Sequence, residues 1–171
     1  LHGLVRQYID QYAAQELHNF QNRNARFQYL FRRLRNTAYA VIDQVAEELR
    51  HSDFIPMAFE LSFGGKNGTL PAVTISQPDG ELRVGGKVDR VDGWIRDDKL
   101  YLRVVDYKSG KKKFDLANVR MGLDIQMLLY LFALQKEGKR YFGREIEPAG
   151  VLYVPARDVV KRADRAIPPD K

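Results

Sequence analysis

Apolar residues recur at helical spacing along the N-terminal part of the chain and then change period. Val5, Tyr8, Ile9, Tyr12, Ala13, Leu17 and Phe20 return every three or four positions, which predicts an amphipathic helix closed by Asn22 and Asn24. Phe27, Leu30, Phe31, Leu34, Ala38, Val41, Ile42, Val45 and Leu49 hold the same spacing for about six turns, with Arg32, Arg33 and Arg35 on the other side. Beyond Ser52 the segments shorten. Residues 54–63 and 73–76, separated by Gly64, Gly65, Gly68 and Pro71, have the bounded form of strands. Pro78, Asp79 and Gly80 predict a turn into a single half-buried strand in which Leu82, Val84, Gly86 and Val88 alternate with polar residues. Asp97 and Asp98 mark the next turn, residues 100–107 form the most apolar strand, and together these predict an antiparallel meander.

A basic loop over residues 109–113 leads to a predicted helix over 116–136, with Met121, Ile125, Leu128, Leu129 and Phe132 on one face, ending near Gly138. Residues 150–154 predict a further short strand. The expected organisation is an N-terminal helical segment (1–51), a core of sheet plus helix (52–155) and a charged extension (156–171), with no internal repeat. The fold class is α/β: a mixed or antiparallel sheet flanked by helices, with two long N-terminal helices alongside.

Composition narrows the chemistry. With 171 residues and 44% hydrophobic content, the chain can bury a core of its own. It has no cysteine, which excludes disulfides, thiolate-held zinc or iron–sulfur clusters and cysteine nucleophiles within it, so a site must use oxygen and nitrogen. No apolar run approaches the ~20 residues of a membrane-spanning helix and no secretion signal is recognisable, so the expected compartment is the cytoplasm and no membrane partner is expected. A net charge of +6 and a pI near 9.5 lean weakly towards polyanionic partners. The chain starts without methionine, partway into a helical pattern, and stops at Pro168, Pro169, Asp170 and Lys171 without a closing element, so a piece of a longer protein is expected.

The candidate chemistry lies on the strands. Asp106 and Lys108 have the parity of Leu102 and Val104, so they continue the inward row of a buried strand, about 7 Å apart. Charges there face a desolvation cost unless partnered. Asp89, preceded by Gly85 and Gly86, offers a second carboxylate on the preceding strand. Two carboxylates, with carbonyls and water, suit a hard divalent cation such as Mg²⁺ or Mn²⁺ that acidifies water and polarises a phosphoryl oxygen, while Lys108 orients that water or offsets charge. The competing reading pairs Asp89 with Arg90 or Arg103 and leaves Asp106 and Lys108 as an ordinary strand-end ion pair. Gln126 and Tyr130 lie one helical turn apart and either line a cleft, contacting phosphate or base, or sit satisfied in the core.

These residues carry a family resemblance. G-K-V-D-R-V-D around Asp89, V-V-D-Y-K-S-G around Asp106 and Q-M-L-L-Y from Gln126 resemble, in order and spacing, the RecB-type nucleases of the PD-(D/E)xK superfamily. More narrowly, F-I-P-M-A-F-E-L-S-F-G-G, G-L-D-I-Q-M-L-L-Y and P-A-G-V-L-Y resemble the nuclease domain of AddB-type helicase-nuclease subunits over residues 5–153. The resemblance implies a restriction-endonuclease-like core in which Asp89 and Asp106 bind Mg²⁺ or Mn²⁺, the Tyr107 backbone carbonyl adds a ligand, and Lys108 is catalytic. Gln126 and Tyr130 match the family's Q-x-x-x-Y motif. Glu60 falls in its upstream acidic block and is expected to support the site rather than bind metal; a strand glutamate paired with an arginine is the alternative.

The resemblance further implies a metal-dependent exodeoxyribonuclease within an ATP-dependent helicase-nuclease of double-strand-break repair, with DNA and an AddA-like helicase-nuclease subunit as partners. Lys111, Lys112 and Lys113 are candidates for phosphate contacts, against a plain solvated loop. RecB-type nucleases also carry a metal-binding histidine in an upstream helix, and His2, His18 and His51 do not match it. That ligand, and the four-cysteine iron–sulfur cluster implied for the parent protein, are expected in missing flanks on which activity of this stretch depends. The rival functions are a catalytically silent nuclease fold for DNA binding or subunit docking, which the complete Asp89, Asp106 and Lys108 set opposes, and a helical interaction protein, which leaves the acidic strands unexplained.

Overall fold

The computed structural model describes residues 1–17, 24–65, 68–110 and 115–156. The chain divides into two compact units, one of Leu1–Val45 with Ala156–Lys171 and one of Ala46–Pro155, the division falling inside the second helix.

In the first unit, α1 (His2–Glu16) and α2 (Ala25–Arg50) are the predicted pair. Asn24 starts α2 rather than ending α1: its side-chain oxygen accepts from the Phe27 amide at 2.9 Å, as a helix-capping asparagine does. The positions at the end of the first apolar stripe, Phe20 and Asn22, lie outside the described residues. His2 is held by Asp43 at 2.7 Å and stacks on Tyr39. No α2 residue is fully buried.

The second unit is built on a four-stranded sheet ordered β1 (Ile55–Phe63), β4 (Gly86–Arg96), β5 (Lys99–Lys108) and β6 (Ile146–Pro155). β1, β4 and β5 are antiparallel, while β6 pairs parallel to β5, so the sheet is mixed. Parallel pairing needs a long crossover, here supplied by α3 (Leu116–Arg120), α4 (Gln126–Glu137) and α5 (Lys139–Phe142). Asp97 and Asp98 close the β4–β5 hairpin with left-handed φ values of 50° and 62°, a conformation that aspartate tolerates. Leu100, Leu102 and Val104 of β5 are wholly buried, and they form one core cluster with Met127, Tyr130, Leu131 and Leu134 of α4.

Two predicted elements are broken in the structure. The single strand expected through Leu82 and Val88 is interrupted at Gly85: β3 (Gly80–Val84) pairs only with β2 (Val73–Gln77), and β4 joins the main sheet. A Cβ at Gly85 would sit 3.0 Å from the Phe63 carbonyl oxygen, a tight approach of the two backbones that favours glycine there. The helix expected over 116–136 is likewise two. Gly122 (φ 77°) and Asp124 (φ 56°) stop α3, and α4 starts afresh at Gln126. Its buried face carries Met127, Tyr130, Leu131 and Leu134, whereas Met121 (77% exposed) and Phe132 (54%), expected on one apolar face, point outward. A helix apolar nearly all round has no preferred side; the sheet chose it. No helix among the described residues is long and apolar enough to cross a membrane.

Candidate active site

β4 and β5 position the acids. Arg90 is opposite Val105 and Val91 opposite Val104, and the same register carried one step on sets Asp89 opposite Asp106. The strands are tied there by a side chain: the Tyr107 amide donates to Asp89 Oδ2 at 2.8 Å. Asp106 and Lys108 continue the row of Leu102 and Val104 as their parity predicts, beyond the point where the core cluster ends. Lys108 Nζ lies 2.7 Å from Asp106 Oδ2. This contact holds the Lys108 ammonium above the usual lysine range, with partial burial opposing it. Asp106 Oδ2 is buried, and the Lys108 ammonium is its charge partner.

Two carboxylates on neighbouring strands supply the hard oxygen donors that a divalent cation takes. Among the described residues no group of three or more histidine, cysteine, aspartate or glutamate side chains gathers to hold an ion.

The Q-x-x-x-Y pair lies on α4. Gln126 Nε2 donates to Tyr130 Oη at 2.7 Å, and the Tyr130 ring stacks on Phe63 with centroids 5.6 Å apart and planes 7° from parallel. Tyr130 is buried and Gln126 exposed, so the glutamine presents the pair to solvent. A Cβ at Gly86 would stand 2.0 Å from Tyr130 Oη. Only glycine lets that hydroxyl reach β4, three residues before Asp89, roughly 10 Å along the strand.

Other candidates are placed elsewhere or not at all. Glu60, with φ 52°, is ion-paired with Lys87, both side chains more than half exposed. His51 bonds to the Glu47 carbonyl oxygen at 3.0 Å, while His18 and Lys111, Lys112 and Lys113 lie outside the described residues.

Of the competing reading, the ion pair of Asp106 and Lys108 at the strand end is present, whereas among the described residues Arg90 and Arg103 pair with Asp92 and Glu48 rather than with Asp89. Both arginines occupy the opposite face of the sheet, in a buried network with Asp92 and Glu48. Arg90, 1% exposed, places Nε 2.8 Å from Asp92 Oδ1 and donates through Nη2 to Asp92 Oδ2 at 2.9 Å and to Glu48 at 3.2 Å. Arg103 donates from Nε to Asp92 Oδ2 at 2.9 Å, contacts Glu48, and lies over the Phe54 ring at 4.8 Å. Burial works against the Arg90 charge, yet Asp92 holds the guanidinium above its ordinary range. Arg90 Nη1 also donates to the Tyr107 hydroxyl at 2.6 Å. Burial pushes that phenol up and Arg90 pulls it back.

Tyr107 separates Asp106 from Lys108 in the chain, so the network on one face anchors the residue whose neighbours form the site on the other. Strand parity carries the signal, since Arg90 and Asp92 alternate against Asp89. Glu48, on the last turn of α2, carried none.

A family model described as the PD-(D/E)XK nuclease superfamily matches residues 3–168. A protein of Symbiobacterium thermophilum, named as a subunit of an ATP-dependent helicase/deoxyribonuclease, is 38% identical over 145 residues, covering 84% of this chain and 12% of its own length. The protein of that name from Acetivibrio thermocellus is 39% identical over 140 residues, 81% of this chain and 12% of its own. The one from Alkaliphilus oremlandii is 32% identical over 165 residues, 95% and 14%. The chain therefore spans about 12% of the length of most of the curated relatives it matches.

Proposed function

Because this chain belongs to the PD-(D/E)XK nuclease superfamily, we propose that it is the nuclease part of an ATP-dependent helicase–deoxyribonuclease, hydrolysing DNA phosphodiester bonds at Asp89, Asp106 and Lys108. Residues 52–155 are its catalytic core. The observation that carries this reading is the convergence of the three residues at the ends of β4 and β5: Asp89 accepts from the Tyr107 amide at 2.8 Å, and Lys108 Nζ lies 2.7 Å from Asp106. Asp89, Asp106 and the Tyr107 carbonyl would hold Mg²⁺ or Mn²⁺, which would supply acidity to a bound water and charge against a phosphoryl oxygen. Lys108, kept charged by Asp106, offsets the negative charge that builds on phosphate as the water oxygen bonds to phosphorus and the bond to the departing strand breaks. Gln126, fixed by Tyr130, holds a non-bridging oxygen or a base edge at the rim.

The partners that follow are a DNA strand and an AddA-like subunit that delivers it, in the cytoplasm where bacterial DNA lies. An iron–sulfur cluster in the parent protein would take its thiolates from outside this cysteine-free chain. The test is degradation of end-labelled linear DNA in Mg²⁺ by the full-length protein and by its Lys108→Ala variant. Cutting by the first alone supports the reading; no cutting, or equal cutting, refutes it in favour of a silent docking or DNA-binding fold.

A further inference from the structure

A second concave site lies in the sheet unit, lined by none of Asp89, Asp106 and Lys108. Gly64, Gly68, Pro71, Arg83, Arg140 and Tyr141 line a cavity of about 560 Å³, well beyond what a free phosphate fills and within the range of nucleotide-sized sites. Arg83 comes from β3 and Arg140 from α5, elements far apart in sequence whose residues line one hollow.

Neither charge is committed. Arg83 is 74% exposed and its ion contact with Glu81 spans 3.6 Å, a surface pairing of little worth. Arg140 has no ion-pair partner among the described residues. Tyr141 is 47% exposed, and Phe142 meets its ring at 83° with centroids 4.8 Å apart, which sets its orientation. Guanidinium groups that bind phosphate and an open aromatic ring that stacks on any base are the elements of single-strand recognition.

The cavity is also on the line of the site. Gly64 packs against Gly85, where a Cβ would approach Gly85 Cα to 3.4 Å. Gly85 lies immediately before β4 and four positions before Asp89, a span of at most about 13 Å. That span corresponds to about four base steps at 3.4 Å each, or fewer in an extended strand.

We propose that this cavity is a nucleotide subsite that holds the DNA strand a few nucleotides from the bond to be cut, its phosphate between Arg83 and Arg140 and its base against Tyr141. The inference rests on the nuclease reading for its ligand, and its test separates the two.

In excess chelator, where no cutting occurs, binding of fluorescein-labelled single-stranded oligonucleotides to the full-length protein is followed by anisotropy across a salt series. Arg83→Ala with Arg140→Ala flattens the slope of log affinity against log salt by about 0.7 to 1.4, one or two phosphate contacts on a single strand. Tyr141→Ala weakens binding by about 5- to 150-fold, the worth of one stacked base. Both losses are confined to oligonucleotides long enough to span from the acids to the cavity. In Mg²⁺ the same variants raise KM and leave kcat at saturation unchanged.

If the wild-type protein cuts and the variants bind with unaltered affinity and slope, the subsite is wrong and the nuclease reading stands. If the wild-type protein does not cut while the variants still lose affinity, the nuclease reading fails and the subsite stands as a strand-binding site. Equal losses on the shortest oligonucleotides overturn the proposed spacing.

Discussion

Asp92→Ala tests the energetics beneath the site. Asp92 is wholly buried and contacts both Arg90, itself 1% exposed, and Arg103, 18% exposed. Removing one partner of a buried pair costs about 3–5 kcal/mol, because the remaining charge is left without compensation. Glu48 still reaches both arginines and is 28% exposed, so part of the compensation survives. The expected cost is therefore at the lower end, about 3 kcal/mol. For a domain of this size that lowers the melting temperature by on the order of 10 °C.

Arg90→Met combined with Asp92→Leu removes both charges from the dry side of the network. Most of the stability returns, since well-packed apolar residues replace a buried ion pair at little or no cost. DNA cutting does not return with it. The Tyr107 hydroxyl has lost the Arg90 donor at 2.6 Å, and Tyr107 sets the pitch of the strand between Asp106 and Lys108. Thermal unfolding by circular dichroism and cleavage of end-labelled DNA read the two effects separately. An Asp92→Ala protein within about 0.5 kcal/mol of wild type would place Asp92 among ordinary surface substitutions and refute the argument. Full activity in the double variant would refute the anchoring of Tyr107.

Gly86→Ala drives a methyl group to within 2.0 Å of the Tyr130 hydroxyl, so Tyr130 must leave its stack on Phe63; a loss of about 1–3 kcal/mol in denaturant unfolding is expected, with reduced cutting, and an unchanged midpoint would show that the hydroxyl has room. If the aspartates hold Mg²⁺ as proposed, the ion at a hundredfold excess over its Kd is expected to stabilise the wild-type protein by about 2.7 kcal/mol. Asp106→Ala abolishes this ion-dependent rise in melting temperature, and a rise preserved in that variant would place the ion elsewhere.

Much of the site is local in origin. That Asp106 and Lys108 share the face of Leu102 and Val104 follows from the two-residue period of any strand, and the motifs around Asp89, Asp106 and Gln126 are contiguous in the chain. Parity would also have excluded an Asp89–Arg90 pair, because adjacent residues of a strand point to opposite faces. The interruption at Gly85 was less visible: alternation of apolar and polar residues runs through it unbroken, and only the crossing of Phe63 explains two strands in two sheets.

Residue order alone determined which segments could be helix or strand, the absence of thiol chemistry, and the acids, lysine and Gln–Tyr pair that the fold would have to bring together. The tertiary structure decided which strands are neighbours, that β6 closes the sheet in parallel, which side of α4 meets the core, and that Glu48 joins two arginines and Asp92 under Tyr107. The difference is physical. Strand parity and helical period are set by backbone geometry within a few residues, whereas the partner of a buried charge and the covered face of a uniformly apolar helix are chosen only when distant surfaces compete to leave water.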